Sequence, residues 1–546
     1  MSTPQSNVYI CSGVRLDPRY EHSIYFKDRA SQENYFAGKV VRTFSAYTYL
    51  RKTWPLQVAA TMEEARTWSY LYFRNGAGAK TYYYFITQVE YKNDSTVELT
   101  LELDVLQTYL HDFTLLDCFV ERQHTETDVM GENTLDEGLD VGELKETGGE
   151  NWTSLNDMCI LIMSTINPNY TDTDKPIDAL GYLYNNVFSG LGVWAVKASQ
   201  WGSWSAQLEK LSEAGFIDGI VGMWMYPINC IKLGGEQTWS DDDLCKVVAG
   251  FKPASESFTY SRVSSNVDGY TPKNKKVLCW PYRFLYATNN QGGSAVYRFE
   301  RFGAPNTPKF NLMGAISPDA TVKMYPNNYN GVNTVQAAGN TSTWDIDGNY
   351  DHGLSLGNFP SCAWDADVYK LWLAQNQNQL QHTANTAGLS ILGGAVGAVA
   401  SLAMGNVVGA VAGAGAVVSG AQQIGALLAQ KADMSTQPPQ SRGAFSGNVN
   451  ASAKMQSFTF YTKSVDAEHA RMIDNYFTMY GYRINTIRTP NIAARPAFTY
   501  IKTVGCNIVS NMCMEDRIRI TGIFDRGITF WKNGDKIGDY TQNNTV

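Results

Sequence analysis

Residues 83–104 read YYFITQVEYKNDSTVELTLELD, and their alternation decides the fold class. Tyr83, Phe85, Thr87, Val89 and Tyr91 fall on one face of an extended chain, with their neighbours on the other. After the polar turn Asn93-Asp94-Ser95, the residues Val97, Leu99, Leu101 and Leu103 alternate with Glu98, Thr100, Glu102 and Asp104. Period two on both sides of a turn predicts a β-hairpin, and residues 1–150 read as β-rich around it. Phe119 to His124 predicts the end of a further strand, and Glu132 to Glu150 an acidic loop.

Outward from the hairpin the pattern continues. Residues 151–365 hold many short strand-like runs and no internal repeat. They are punctuated by Asp268-Gly269, Asn290-Gln291-Gly292-Gly293 and Asn327-Asn328-Tyr329-Asn330-Gly331. Ser240 to Asp243 predicts a helix start, since acids favour a helix N-terminus. Asp466 predicts the cap of a helix carrying Met472, Ile473, Tyr476, Phe477 and Tyr480, stopped by Gly481. Ile518 to Tyr540 reads as strand, with a hairpin signal at Lys532-Asn533-Gly534-Asp535. The expected fold class is mainly β (α+β), and 32 Tyr, 23 Phe and 13 Trp fit a β-rich protein with large interfaces.

Charge and cysteine content narrow the function classes. A net charge of −8 excludes a nucleic-acid clamp and suits a conduit along which DNA is not held. The nine cysteines are odd in number, and none form a CxxC pair. They read as reduced thiols of a protein made in a cytoplasm. The polar start, Met1 to Asn7, lacks the apolar run of a signal peptide.

One stretch departs from all of this. From Leu371 to Gln430 there is no Asp, Glu, Lys or Arg, and Ala387 to Ala429 consists almost wholly of Gly, Ala and larger apolar residues. The larger ones are Leu389, Ile391, Leu392, Val396, Val399, Leu402, Met404, Val407, Val408, Val411, Val417, Val418, Ile424, Leu427 and Leu428. As helix, Leu389 to Leu428 spans about 60 Å, enough for two crossings of a hydrocarbon layer of about 30 Å, with Gly405-Asn406 able to turn the chain. Gly393 and Gly397, then Gly405, Gly409 and Gly413, recur every fourth residue and present one helix face for close packing in lipid. Each Gly costs a helix about 1 kcal/mol relative to Ala, and Ala is barely hydrophobic, so the segment is only marginally membrane-seeking. A buried helix pair in an oligomer and a flexible linker are the competing readings. Asp365 to His382 predicts a helix leading in, with Val368, Leu371 and Trp372 on one face, and Met434 to Asn450 a polar return linker.

No catalytic constellation stands out. Gly353-Leu354-Ser355-Leu356-Gly357 matches GxSxG. A nucleophile elbow needs an apolar strand before it and a helix after it, and the flanks Asn349 to His352 and Asn358 to Pro360 read as loop. His22, His111, His124, His352, His382 and His469 stand too far apart for a zinc motif. Asp172 and Asp174 lack the Gly and closing Glu of a calcium loop, and Asn75 to Lys80 fits a hairpin turn better than a phosphate loop. No enzyme, metal or cofactor is expected.

Several blocks together resemble the tail knob (distal tail tube) proteins of φ29-like short-tailed bacteriophages, the podoviruses. They are Tyr83 to Ile86, Asp104 to Tyr109, Phe119 to His124, Gly269 to Lys276 with Pro281-Tyr282, Tyr369 to Asn376, Asp474 to Tyr482, and Ile523 to Trp531. The resemblance holds in order over nearly the whole chain and is weakest between about 150 and 255. It implies β-barrel domains forming a hexameric tube at the tail tip of the virion, with double-stranded DNA passing through the lumen without sequence-specific binding. It also implies an apolar loop, here 386–430, that plugs the tube and on ejection forms a channel in the host cell membrane. The domains expected on this basis are 1–150, a first tube domain; 151–365, central β-rich domains; 366–385, a helix; 386–430, the loop; 431–450, a polar linker; and 451–546, completing the tube domains. Partners implied are five further copies, other tail proteins (lower collar or tail tube), DNA and host membrane lipid. A purely structural plug and a free pore-forming toxin are the alternatives.

Overall fold

The computed structural model describes residues 6–47, 55–164 except 77–78, 166–169, 183–184, 187–188, 192–363 with gaps at 215, 217–218, 236, 241, 253–256, 318–320, 328, 330–333, 337–342 and 346–352, then 445–446 and 456–546. The chain forms two compact units, each built from separated segments. The first comprises 1–144, 265–282 and 465–546, and the second 145–264 and 283–464. The mainly β class expected from the alternation is the class observed.

The first unit opens with β1 (Ser6–Cys11), β2 (His22–Ile24), α1 (Arg29–Ala37), β3 (Val40–Tyr47), β4 (Leu56–Val58), α2 (Met62–Ala65), β5 (Tyr70–Arg74), β6 (Thr81–Asn93), β7 (Thr96–Leu103) and α3 (Val105–Tyr109). A six-stranded antiparallel sheet runs β3-β1-β5-β6-β7-β4. The expected hairpin is β6–β7, and Asn93 accepts from Ser95 N at 3.0 Å inside its turn. The sheet curls until side chains span its two edges. Tyr47 Oη on β3 donates to Gln57 O on β4 at 3.0 Å, and Arg42 Nη2 to Ala59 O at 3.2 Å. Phe36 from α1 fills the inside, stacked on Tyr70 at 5.2 Å and tilted against Tyr83 at 4.6 Å. The Asn75 to Lys80 segment joins β5 to β6, as the turn reading expects. After α3 comes β8 (Cys118–Gln123).

The second unit begins at β9 (Lys145–Asn151), inside the stretch expected to be acidic loop. Glycines there still leave backbone groups free to pair. It continues with β10 (Met158–Ser164), β11 (Gly192–Lys197), α4 (Trp201–Glu213), β12 (Ile220–Pro227), β13 (Ile231–Leu233), β14 (Lys246–Phe251), β15 (Ser257–Thr259), β16 (Arg283–Thr288), β17 (Ser294–Tyr297), β18 (Lys309–Gly314), β19 (Val322–Asn327), β20 (Leu354–Leu356), β21 (Ser361–Ala363), β22 (Phe445–Ser446) and β23 (Thr459–Ser464). Three of its sheets run β13-β14-β11-β10-β12-β21-β22, β9-β23-β16-β17 and β15-β18-β19-β20. β10 is apolar from Met158 to Met163 and wholly buried, with β11 and β12 paired to its two edges and the Ser164 hydroxyl donating to backbone carbonyls. Ser240 to Asp243 does not start a helix. The acids precede β14, whose Lys246-Val247-Val248 run prefers an extended ladder.

The chain then returns to the first unit through α5 (Ala467–Tyr480), β24 (Tyr482–Arg488), β25 (Phe498–Val504), α6 (Met514–Arg526) and β26 (Ile528–Trp531). These strands complete a five-stranded sheet, β2-β26-β25-β8-β24. Asp466 caps α5 by accepting from Glu468 N and His469 N, as the sequence predicts, and Gly481 ends it. The strand expected over Ile518 to Tyr540 is in its first part α6. Ile520, Ile523 and Phe524 recur at helical spacing and are buried against the core. Lys532 to Asp535 leads into a single 3-10 turn rather than a hairpin, with Asn533 accepting from Asp535 N. Cys11, Cys118, Cys159, Cys230, Cys245, Cys279 and Cys506 are buried thiols, and Cys513 is an exposed one.

Candidate functional site

The segment singled out by composition is placed by its two ends. β21 pairs with β12 in the register Ser361↔Trp224, Cys362↔Met223 and Ala363↔Gly222. β22 pairs with β21, Ser361↔Ser446 and Cys362↔Phe445. The chain therefore leaves the seven-stranded sheet at Ala363 and re-enters it at Phe445, one strand over, about 5 Å away. Residues 364–444 are inserted between two hydrogen-bonded neighbours. β21 lies on β12, itself paired with the buried β10.

The fifteen apolar residues from Leu389 to Leu428, the glycines Gly393, Gly397, Gly405, Gly409 and Gly413, the helix expected over Asp365 to His382 and most of the linker lie outside the described residues. Among the described residues no helix is long and apolar enough to cross a membrane.

Most of the other singled-out blocks turn out to be framework. Asp104, buried, caps α3 by accepting from Gln107 N at 3.0 Å and takes the Tyr70 hydroxyl at 2.8 Å. Gln107 donates to Ser23 Oγ and Ile24 O, Thr108 Oγ1 accepts from Tyr83 N, and Tyr109 Oη donates to Asp516 Oδ2. The block Asp104 to Tyr109 thus ties α3 to β2, β6 and α6. Burial raises the Asp104 carboxyl to about 6 despite these hydrogen bonds.

A second polar knot lies under α5. Asp474, 1% exposed, accepts from Tyr270 Oη at 2.7 Å, Lys273 N and Asn274 N at 2.9 Å each, and Asn274 Nδ2 at 2.8 Å. Glu137, its side chain fully buried, sits between Lys276 and Arg122 and also accepts from Arg483 N. Burial lowers the Lys276 amine, opposed by the Glu137 charge. Lys276 lies over the rings of Phe477 and Tyr482, and Arg122 over Tyr476. His124 uses both ring nitrogens. Nδ1 accepts from Tyr500 N at 2.8 Å, and Nε2 donates to Thr478 O at 3.1 Å. Burial and Arg495 lower its pKa to about 3, so the imidazole is neutral. These charges are paired and hydrogen-bonded. They hold the loop before residue 144, the 265–282 segment and α5 together.

The GxSxG serine also belongs to the framework. Ser355 is on β20, paired with Lys323 of β19, and Asn358 follows at φ 55° instead of a helix. The sequence reads a loop there, and the structure a short strand. Among the described residues no three His, Cys, Asp or Glu side chains gather as for a metal. His352, His382, Asp172 and Asp174 lie outside the described residues. Arg122, Asn274, Lys276 and Asp474 lie in the blocks quoted above, but that they meet, and that Glu137 joins Arg122 and Lys276, left no sign in the sequence because the partners are far apart along the chain. The stems Ser361–Ala363 and Phe445–Ser446 are too short to show period two.

With this geometry in hand, comparison with known proteins gives agreeing results. Residues 248–545 match the family described as the C-terminal domain of the tail knob protein gp9 of Bacillus phage phi29, and residues 4–114 match the caudoviral major tail protein N-terminus. Tail knob proteins gp9 of Bacillus phages B103, phi29 and PZA are 24%, 25% and 26% identical, each match covering 99% of this chain and 98% of the relative. The solved structure of the bacteriophage C1 tail knob protein gp12 superimposes with a TM-score of 0.63 at 13% identity, covering 98% of each chain.

Proposed function

We propose, from the premise that the chain belongs to the phi29 tail knob protein family, that it builds the tip of a phage tail tube and carries the segment that opens the host membrane. A tail knob protein is a structural part of the virion and not an enzyme, and it associates with other tail proteins. Beyond that, six copies surround a lumen for double-stranded DNA, and the six inserts of residues 364–444 close it before ejection. Packed together, their Val, Leu and Ile side chains are shielded from water. Once released, they expose enough apolar surface to enter lipid, where the glycine faces let helices pack closely.

The observation that supports this reading best is the adjacency of β21 and β22. An insert that leaves and returns on neighbouring strands is free to change its surroundings while the sheet beneath keeps its pairing. The absence of charge from Leu371 to Gln430 then matters twice: nothing in it holds phosphates, and nothing in it resists the hydrocarbon.

The test is dye release from liposomes by the assembled knob under ejection-like conditions. Leakage is expected from the intact protein and is lost in the Gly409→Asp, Val411→Asp double variant. If the intact protein never causes leakage, yet deleting 386–430 spoils DNA retention, the insert is a plug alone.

A further inference from the structure

Two cysteines far apart in the chain meet at the end of the five-stranded sheet of the first unit. Between β25 and β8 the register is Thr503↔Val120 and Val504↔Phe119, with Thr503 and Val120 buried and Val504 and Phe119 exposed. Strict alternation would turn Cys506 outward, like Val504. Gly505 intervenes at φ +66°, a backbone that breaks the period, and Cys506 turns inward, 8% exposed. Cys118, the residue before Phe119, is on the same inward side, 6% exposed. Leu116 N donates to Asn507 O at 2.9 Å, so the two segments stay side by side past the glycine. The Cys118 sulfur takes hydrogen bonds there from the Asn507 N–H and from the Cys506 thiol. α6 fixes the second cysteine, since Asp525 Oδ1 accepts from Cys506 N at 3.0 Å and from Thr503 Oγ1 at 2.7 Å.

The contact is asymmetric. Burial pushes the Cys506 thiol up to about 12 and raises Cys118 as well, with the Asp525 charge acting on both in the same direction. The two hydrogen bonds received by the Cys118 sulfur oppose its rise. The sulfur that accepts is the one better able to carry charge, and the thiolate is the nucleophile. Cys118 is therefore the attacking sulfur, and Cys506 the one that resolves.

We propose that Cys118 and Cys506 are a redox-modification site, a dithiol in a reducing cytoplasm that the folded chain closes to a disulfide by exchange with a low-molecular-weight disulfide once outside it. The Cys118 thiolate attacks one sulfur of the small disulfide, forms an S–S bond to it and expels the other half as a thiolate. Cys506 gives up its proton, attacks the Cys118 sulfur and expels the second half. Two cysteine sulfurs are oxidised, the small disulfide is reduced to two thiols, and the two protons that leave the chain are taken up by those products. An excess of small thiols drives the same exchange backwards, so the bond stays open where the chain is made. Once closed, it ties β8 to the turn after β25 and encloses everything from Phe119 to Gly505, the whole second unit included. A link across so long a stretch restrains the unfolded chain and so favours the folded one.

The test incubates the folded full-length chain with oxidised glutathione at mildly alkaline pH, blocks remaining thiols with iodoacetamide in denaturant, and maps peptides by mass. Cys513, the exposed thiol at the start of α6, gains glutathione and so shows that the reagent has acted. The expected result is a peptide pair joined through Cys118 and Cys506 that separates on reduction, with a thermal midpoint raised over that of the reduced chain. In Cys506→Ser, Cys118 should be recovered carrying glutathione, and in Cys118→Ser, Cys506 should be recovered unmodified. Wild type in which Cys513 has reacted while Cys118 and Cys506 are both alkylated overturns the proposal. So does a joined pair that forms only in urea, since the folded geometry then contributes nothing. Glutathione on Cys506 in Cys118→Ser, with none on Cys118 in Cys506→Ser, overturns the order of attack.

Discussion

Gly481 lies against the backbone of Gln123. A Cβ built on it stands 2.5 Å from the Gln123 carbonyl carbon and oxygen and from His124 N, and its φ is +65°. The obstacle is backbone within the β8–β24 ladder, so no side chain can swing aside.

Gly481→Ala is therefore expected to cost about 3 kcal/mol or more, combining left-handed strain with displacement of β8. Gly522→Ala, on the same unit, is the counterpart. Gly522 sits within α6 with nothing within 4 Å of the added methyl, so the substitution should stabilise by up to about 1 kcal/mol. Urea midpoints of the two variants check the contrast.

The neutral His124 sets a direction of pH dependence. Folding lowers its pKa from 6.5 to about 3, so between these values the unfolded chain binds the extra proton. Its contribution is complete above pH 6.5 and is lost as pH falls, by about 2 kcal/mol between pH 7 and 5. Denaturation curves of wild type and His124→Gln at several pH values should converge on acidification.

Asp104 acts in the opposite sense. Its pKa rises from 3.8 to about 6 on folding, so the folded state keeps the proton longer. The stability this gives is present below pH 3.8 and is lost as pH rises to about 6, about 3 kcal/mol in all. Asp104→Asn keeps an acceptor for Gln107 N and should remove that slope from the melting temperature. Asp104→Ala also loses the cap and should be destabilised at every pH, by about 1–2 kcal/mol from the cap alone.

Glu137 compensates two buried cations. Glu137→Ala leaves Lys276 and Arg122 without their shared partner and should cost about 3–5 kcal/mol. Adding Lys276→Met and Arg122→Met to that variant should recover a large part of the loss, because apolar side chains of similar length need no counter-charge. Chemical denaturation of the single and triple variants decides it.

How far the sequence could be read depended on the range of the interaction. The β6–β7 hairpin and the cap of α5 are encoded within a few residues, in the alternation from Tyr83 and in Asp466, and both were legible. α6 was misread because Ile518, Ile520 and Phe524 also satisfy period two, and only burial against the core separates the two periods. The block Asp104 to Tyr109 was legible as distinctive but not as a hub, because its partners Ser23, Tyr70, Tyr83 and Asp516 come from four other places in the chain. The apolar segment was visible from composition alone. That its ends meet on neighbouring strands was not, because Ser361 to Ala363 and Phe445–Ser446 say nothing about each other at that separation.

That meeting gives the protein an unusual latitude. With departure and return one strand apart, the sheet registers the excursion only as the closing of a loop. Doubling such a loop costs only about 0.6 kcal/mol. The sequence between Ala363 and Phe445 is in effect an interchangeable cartridge. Its length and wording can change while the register of the strands at its two ends stays the same.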